Sequence, residues 1–121
     1  MIKMIALDLD ETLLNTDKTI SEENATALRQ LHEAGIKIVL CTGRPINAIW
    51  HYLEQLGLTT DDDYTITFNG ALVIQNSTKE ALAQSGLSRN DFEPLHAFAA
   101  ANHYPMDVLD FDQVYPIADL T

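Results

Sequence analysis

Asp8, Asp10 and Glu11 place three carboxylates within four residues, immediately after an apolar run, and Thr12 follows them. Residues i and i+2 of a strand point the same way, so Asp8 and Asp10 would converge on one point beyond the strand end. Two carboxylates that close repel each other unless a cation or a shared proton intervenes. A hard cation bound through oxygen, most simply Mg²⁺, would relieve the repulsion and draw in an anionic substrate. On spacing alone the same acids serve equally well as a solvated strand end, because Asp is a common turn residue. A second constellation is Thr42-Gly43-Arg44-Pro45. A hydroxyl, a glycine that admits close backbone approach and a helix start with free N–H groups together make an oxyanion or phosphate site. The plainer reading is a strand-to-helix turn in which Thr42 caps and Pro45 begins the helix.

The elements that must position these groups follow from the hydrophobic pattern. Ile2 to Leu9 reads as a strand buried on both faces, as in a parallel sheet, although so short a run also fits a buried helix. Ser21 reads as the N-cap of a helix carrying Leu28, Leu31 and Ala34 on one face and ending at Gly35. Ile36 to Cys41 is a second buried strand. Ile46, Ile49, Trp50, Leu53 and Leu56 then recur at helical spacing from Pro45 until Gly57. The acidic Asp61 to Asp63 reads as a solvated loop before a third strand, Tyr64 to Phe68, and Asn69-Gly70 is a turn signal. Strand-helix-strand-helix-strand implies a parallel sheet with helices on its faces and right-handed crossovers. Beyond Ala71 the rhythm changes to a hairpin, Ala71 to Ile74 against Ala81 to Ala83. A helix opened by Ser88 to Asp91 and one or two strands within Tyr104 to Ile117 come next. Both constellations would therefore lie at the carboxyl edge of one sheet, where open α/β sheets bind ligands.

Composition narrows the function classes. The 121 residues carry 7 Lys and Arg against 18 Asp and Glu, a formal net charge of -11, which is the wrong sign for a nucleic acid or an anionic membrane surface. No stretch approaches a membrane span, and the amino-terminal run has no signal-peptide pattern. Cys41 is the single cysteine, with no basic neighbour, so it reads as a small buried hydrophobe and points to a reducing cytoplasm. His32, His51, His96 and His103 form no ligand-spaced pair, and Asp107 to Asp112 lack the pattern of a calcium loop. Trp50, Phe92 and Phe98 fit helix stripes that pack into a core.

In order and spacing, Asp8 to Leu14, Thr42 to Pro45 and Thr67 to Ala71 resemble the haloacid dehalogenase-like hydrolases, specifically the Cof-type sugar-phosphatase branch. The first motif is specific to the superfamily, and Asn69-Gly70-Ala71 points to the branch. The resemblance implies a Rossmann-like α/β core with a parallel sheet, followed by the start of an α+β cap domain. Residues 1–80 would be the amino-terminal part of the core and 81–121 the beginning of the cap. It implies Asp8 as the nucleophile forming an aspartyl-phosphate and Asp10 as general acid and then base. Mg²⁺ would be held by the Asp8 carboxylate and the Asp10 backbone carbonyl. Thr42 and Gly43 would bind the phosphoryl group, Thr12 would support the nucleophile loop, and Arg44 and Asn69 would face the substrate.

This chain departs from the pattern at Glu11, where members of the family carry Gly, so a stiffer or differently shaped turn is expected after the acid. The family's later lysine and its acidic pair have no counterpart, since Lys79 sits in the wrong segment and Asp107, Asp110 and Asp112 fall in cap-like sequence. On this reading the chain is a fragment whose first strand has an unpaired edge open to self-association. The expected function is Mg²⁺-dependent hydrolysis of small phosphorylated metabolites such as sugar phosphates, in the cytoplasm. The alternatives are a sibling phosphotransferase and a catalytically silent fragment that only folds or self-associates. A glycosyltransferase built on Asp-x-Asp leaves Thr42-Gly43-Arg44 unexplained. A phospho-receiver domain needs an acceptor Asp after the third strand, where Phe68-Asn69 stands.

Overall fold

The first helix is the most conventional element of the chain and shows how local signals set its limits. In the computed structural model, which describes residues 1–110 and 113–117, the Ser21 hydroxyl accepts the Asn24 N–H at 3.2 Å and α1 runs over Glu22–Glu33. Gly35 then turns the chain out of the helix at φ 93°, a left-handed conformation that suits glycine. The segments on either side pair in parallel. β1 (Met4–Asp8) and β2 (Lys37–Cys41) run in register from Met4 opposite Lys37 to Asp8 opposite Cys41, and β3 (Tyr64–Thr67) extends the parallel set from the other side of β2. Three successive residues of positive φ, Phe68, Asn69 and Gly70, reverse the chain into β4 (Leu72–Gln75), and β5 (Ala81–Gln84) follows as its hairpin partner. The sheet order is β1-β2-β3-β4-β5, parallel through β3 and antiparallel beyond.

Two expectations about this sheet need correction. β1 is not buried on both faces: Ile5 and Leu7 are partly buried against the core, while Met4, Ala6 and Asp8 are exposed. The reason is that only one face of the strand, that of Ile5 and Leu7, packs against the core. Nor does a helix start at Pro45. That residue is extended, with φ -62° and ψ 152°, and is followed by one tight turn over Ile46–Ala48 and a non-helical Ile49; α2 occupies only Trp50–Leu56. Gly57, at φ 71°, ends it.

The core lies between the sheet and these helices. Leu9, Leu40, Ile49, Leu53 and Leu56 have no exposed surface. The acidic loop is not wholly solvated either. Asp63 is 2 % exposed, takes the Thr60 N–H and hydroxyl at 3.0 and 2.8 Å, and stands 2.8 Å from His32 Nε2. A buried carboxylate is tolerable only with such partners. Asn76, fully buried, accepts the Thr65 hydroxyl at 2.6 Å and donates to the Leu58 carbonyl at 2.7 Å.

The chain divides into two compact units, Met1–Ser85 and Gly86–Thr121. The division falls beyond residues 80 and 81 because β5 stays paired to β4 in the first unit's sheet. In the second unit, the Ser88 hydroxyl accepts the Asp91 N–H at 3.1 Å and opens α3 (Arg89–Ala101), and β6 (Met106–Leu109) pairs antiparallel with β7 (Val114–Ile117). Phe92 and Phe98 do not pack into a core as their spacing suggested: α3 has no buried residue, and Phe98 is 62 % exposed. Asp112, part of the acidic stretch read from the sequence, lies outside the described residues.

Candidate functional site

β1 and β2 end side by side, and the chain beyond each end carries the chemical groups. After Asp8 the backbone leaves the strand and wraps into a wide turn over Leu9–Leu13, closed by the Leu14 N–H on the Leu9 carbonyl at 2.9 Å. Leu9 and Leu13 point into the core and anchor this turn, which leaves the intervening polar residues outward. Asp8 Oδ1 accepts the Leu9 N–H at 2.7 Å, a bond that fixes one carboxylate oxygen at the strand end.

Asp10 is in the turn rather than in the strand, so simple strand alternation does not aim it. Its direction comes from Arg44. The guanidinium donates from Nε to Oδ2 at 2.9 Å and from Nη2 to Oδ1 at 2.6 Å, a bidentate grip that carries both charge and orientation. Lys18 Nζ donates to the same Oδ1 at 3.0 Å. The Arg44 hydrogen bond, followed by that of Lys18, holds the Asp10 carboxyl below its ordinary range, and the same contact raises Arg44 above its own.

Glu11 adopts φ 60° and ψ 12°. That is the left-handed conformation a glycine accepts without steric cost and a glutamate accepts at a cost of about 1 kcal/mol. The departure noted at this position therefore shows as backbone strain at Glu11.

On β2's side, the Thr42 hydroxyl accepts the Arg44 N–H at 3.1 Å, leaving its own hydrogen to donate, and the Thr42 N–H is tied to the Ile66 carbonyl at 2.9 Å. Gly43 is required by a neighbour. A Cβ there would stand 2.7 Å from Asn69 Oδ1, so the space that the sequence assigned to a ligand's approach is filled by the Asn69 amide. Asn69, at φ 56°, also donates its N–H to the Thr42 carbonyl at 3.1 Å. The structure therefore brings Asp10, Thr42, Gly43, Arg44 and Asn69 into one connected set, with Asp8 beside Cys41 at the adjoining strand ends. Thr12 is exposed and hydrogen-bonds to none of them. Helix N–H groups do not contribute, because α2 begins at Trp50. Cys41 is half-buried, and burial followed by the Asp8 charge pushes its thiol up, away from nucleophile chemistry.

Sequence reasoning missed Lys18 and the residue that seats it, Tyr52, whose hydroxyl donates to the Lys18 carbonyl at 2.6 Å. The available signal was a lone cation ten residues beyond Asp8 in an acid-rich segment.

Among the described residues no three His, Cys, Asp or Glu side chains gather as a metal-binding group. Of the two aspartates, Asp10 has its carboxylate occupied by two cations, so a cation would have to be held by the Asp8 carboxylate together with main-chain oxygen. Hard oxygen donors in that small number fit Mg²⁺, which keeps several waters and takes one or two carboxylates together with substrate phosphate oxygens.

Comparison with known proteins gives the family of the chain. The profile of the haloacid dehalogenase-like hydrolase family matches residues 5–119. The Bacillus subtilis (strain 168) protein YxeH is 40% identical over 115 residues, covering 95% of this chain and 43% of its own length. A haloacid dehalogenase-like hydrolase of Bacteroides thetaiotaomicron superposes with a TM-score of 0.82 at 30% identity, over 100% of this chain and 46% of that one. A structure described as the HAD subclass IIB sugar phosphatase BT4131 matches with a TM-score of 0.77 at 27% identity, over 93% of this chain and 42% of that one. Other curated relatives are named as phosphatases. The chain thus spans less than half the length of these relatives. No helix among the described residues is long and apolar enough to cross a membrane.

Proposed function

The chain belongs to the haloacid dehalogenase-like hydrolases, and from that premise we propose that it acts in the hydrolysis of small phosphorylated metabolites, sugar phosphates among them, through an aspartyl-phosphate on Asp8. The observation that carries this reading is the Arg44–Asp10 pair, which locks the end of β2 against the turn that follows the Asp8 strand.

In the first half-reaction a carboxylate oxygen of Asp8 attacks phosphorus. A bond forms from Asp8 to phosphorus while the bond from phosphorus to the substrate's ester oxygen breaks, and the leaving oxygen needs a proton. On this reading Asp10 gives it. In the geometry described, Arg44 and Lys18 hold Asp10 as an anion, so it acts as acid only after turning out of that grip and taking a proton. The anion suits the second half-reaction, in which Asp10 takes a proton from the water that attacks the phosphorus of the acyl phosphate, while the bond from phosphorus to Asp8 breaks, restoring the Asp8 carboxylate and releasing phosphate. The Thr42 hydroxyl, its oxygen already accepting from Arg44, would donate its hydrogen to a phosphoryl oxygen. Gly43 and Asn69 would form the adjoining wall, with Arg44 toward the substrate. Bound at Asp8 and the Asp10 carbonyl, Mg²⁺ would supply positive charge against the transferring phosphoryl group. Thr12 would act only through the fold of the turn.

On this reading residues 1–85 belong to the core that carries the chemistry, and residues 86–121 to the beginning of the cap domain. The free thiol of Cys41 supports a reducing, cytoplasmic setting. The test is release of phosphate from p-nitrophenyl phosphate in the presence and absence of Mg²⁺. Turnover that needs Mg²⁺ and disappears in Asp8→Asn is the expected result; turnover retained in Asp8→Asn would sink the proposal. Adding a sugar as acceptor separates a hydrolase from a sibling phosphotransferase.

The position of β1 favours a second reading, an association module. β1 pairs only with β2 among the described residues, and Met4 is 59 % exposed on it. Pairing of copies through this edge predicts a dimer in sedimentation that a proline at Ala6 dissociates.

A further inference from the structure

Only seven residues of this acidic chain are Lys or Arg, yet two of them meet at one carboxylate oxygen, Asp10 Oδ1. Arg44 reaches it from the end of β2. Lys18 reaches it from a loop whose backbone is shaped for the purpose. Lys18 itself sits at φ 65°, the left-handed region. Its N–H donates to the Asn15 carbonyl at 2.9 Å, Asn15 in turn donates to the Thr19 carbonyl at 2.8 Å, and the Thr19 hydroxyl donates to Asp17 Oδ1 at 2.6 Å. From the core side the buried Tyr52 hydroxyl donates to the Lys18 carbonyl at 2.6 Å, so α2 fixes the residue from below. An ordinary surface lysine has a free stem and no such seat. Here the main chain is held at both ends of the residue, and the ammonium is delivered to the carboxylate that Arg44 already grips.

We propose that Lys18 is a further positioning residue of the phosphoryl site: with Arg44 it holds the Asp10 carboxylate away from the incoming anion, and Tyr52 sets where the ammonium stands. This inference rests on the phosphoryl-site reading above. A carboxylate and a phosphate at neighbouring positions repel each other. Two cations on the carboxylate cancel that repulsion and add a favourable field for a dianion. Without Lys18, Arg44 alone neutralises Asp10, and its guanidinium is no longer relieved by a second donor at Oδ1.

The test is binding of inorganic phosphate, with Mg²⁺ present, to the 121-residue chain, followed through the backbone amide shifts of Thr42 and Gly43. Lys18→Met is expected to weaken phosphate binding about fivefold, the factor that one exposed charge pair is worth. Lys18→Arg restores the affinity to within about twofold, because charge rather than shape is what the site takes from this residue. Tyr52→Phe falls between the two. Lys18 is an exposed loop residue, so Lys18→Met keeps the fold and carries the test even if Tyr52→Phe unfolds. Phosphate binding as tight in Lys18→Met as in the wild type would overturn this inference alone, and so would failure of Lys18→Arg to restore it. Wild-type protein whose Thr42 and Gly43 amides ignore phosphate would overturn the phosphoryl-site reading and this inference together.

Discussion

From Leu9 to Asn76 the chain encloses a set of side chains with little or no exposure, whereas Gly86–Thr121 contains no buried side chain among its described residues. The two units do not differ in local signals. Ser21 and Ser88 cap their helices in the same way, through the N–H three residues on, and α3 is as long as α1 within one residue. What differs is coverage. α1 and α2 have a sheet of five strands to pack against, while α3 has a two-stranded hairpin in its own unit. A helix gains most of its stability from the face it buries, so equal capping gives unequal elements.

That contrast can be broken by mutation. Leu53→Ala, at a fully buried position of α2, is expected to cost about 3 kcal/mol in urea denaturation, whereas Phe98→Ala on α3 stays within about 0.5 kcal/mol. Comparable losses at the two positions would mean that the second unit has a core of its own. Asp63→Ala is the next largest. It leaves the Thr60 N–H and His32 without their acceptor, an expected loss of about 2 kcal/mol, and a wild-type midpoint would show the carboxylate to be dispensable.

Two further substitutions sharpen the comparison inside the first unit, where the site borders the core. Gly43→Ala drives a methyl group toward Asn69 Oδ1 and should cost about 1 kcal/mol. The double variant Gly43→Ala with Asn69→Ala should recover most of that loss; additive losses would place the strain elsewhere. Smallest and opposite in sign, Glu11→Gly should raise stability by up to about 1 kcal/mol by relieving the left-handed glutamate, and a lower melting temperature would contradict the strain argument.

Much of this architecture was legible in the residues. Ser21, Gly35, Gly57 and Ser88 each end or begin an element where their side chains or missing side chains dictate, and the apolar runs at Ile2 and Ile36 are parallel neighbours. The pairing of the Asp8 segment with the Thr42 segment at one sheet edge was readable because both follow strands. Less was readable where the outcome depended on a distant partner. β1's alternation follows from having only one face packed against the core, which a short apolar run does not record. Pro45 fits a helix start by its φ alone, but its ψ is extended and the helix waits until Trp50. Asp63 looked like its solvated neighbours because its His32 partner is 31 residues away. Lys18 escaped notice because its meaning depends on Tyr52 and Arg44, far along the chain.

The claim at the centre of this account is that Asp8 carries the phosphoryl group. Incubation of the 121-residue chain with acetyl phosphate and Mg²⁺, followed by acid quench and peptide mass spectrometry, addresses it directly. The account predicts one phosphoryl group on the peptide containing Asp8, absent without Mg²⁺ and absent in Asp8→Asn. A phosphoryl group found on Asp10 or Glu11, or no phosphorylation of the wild-type chain at all, would contradict it.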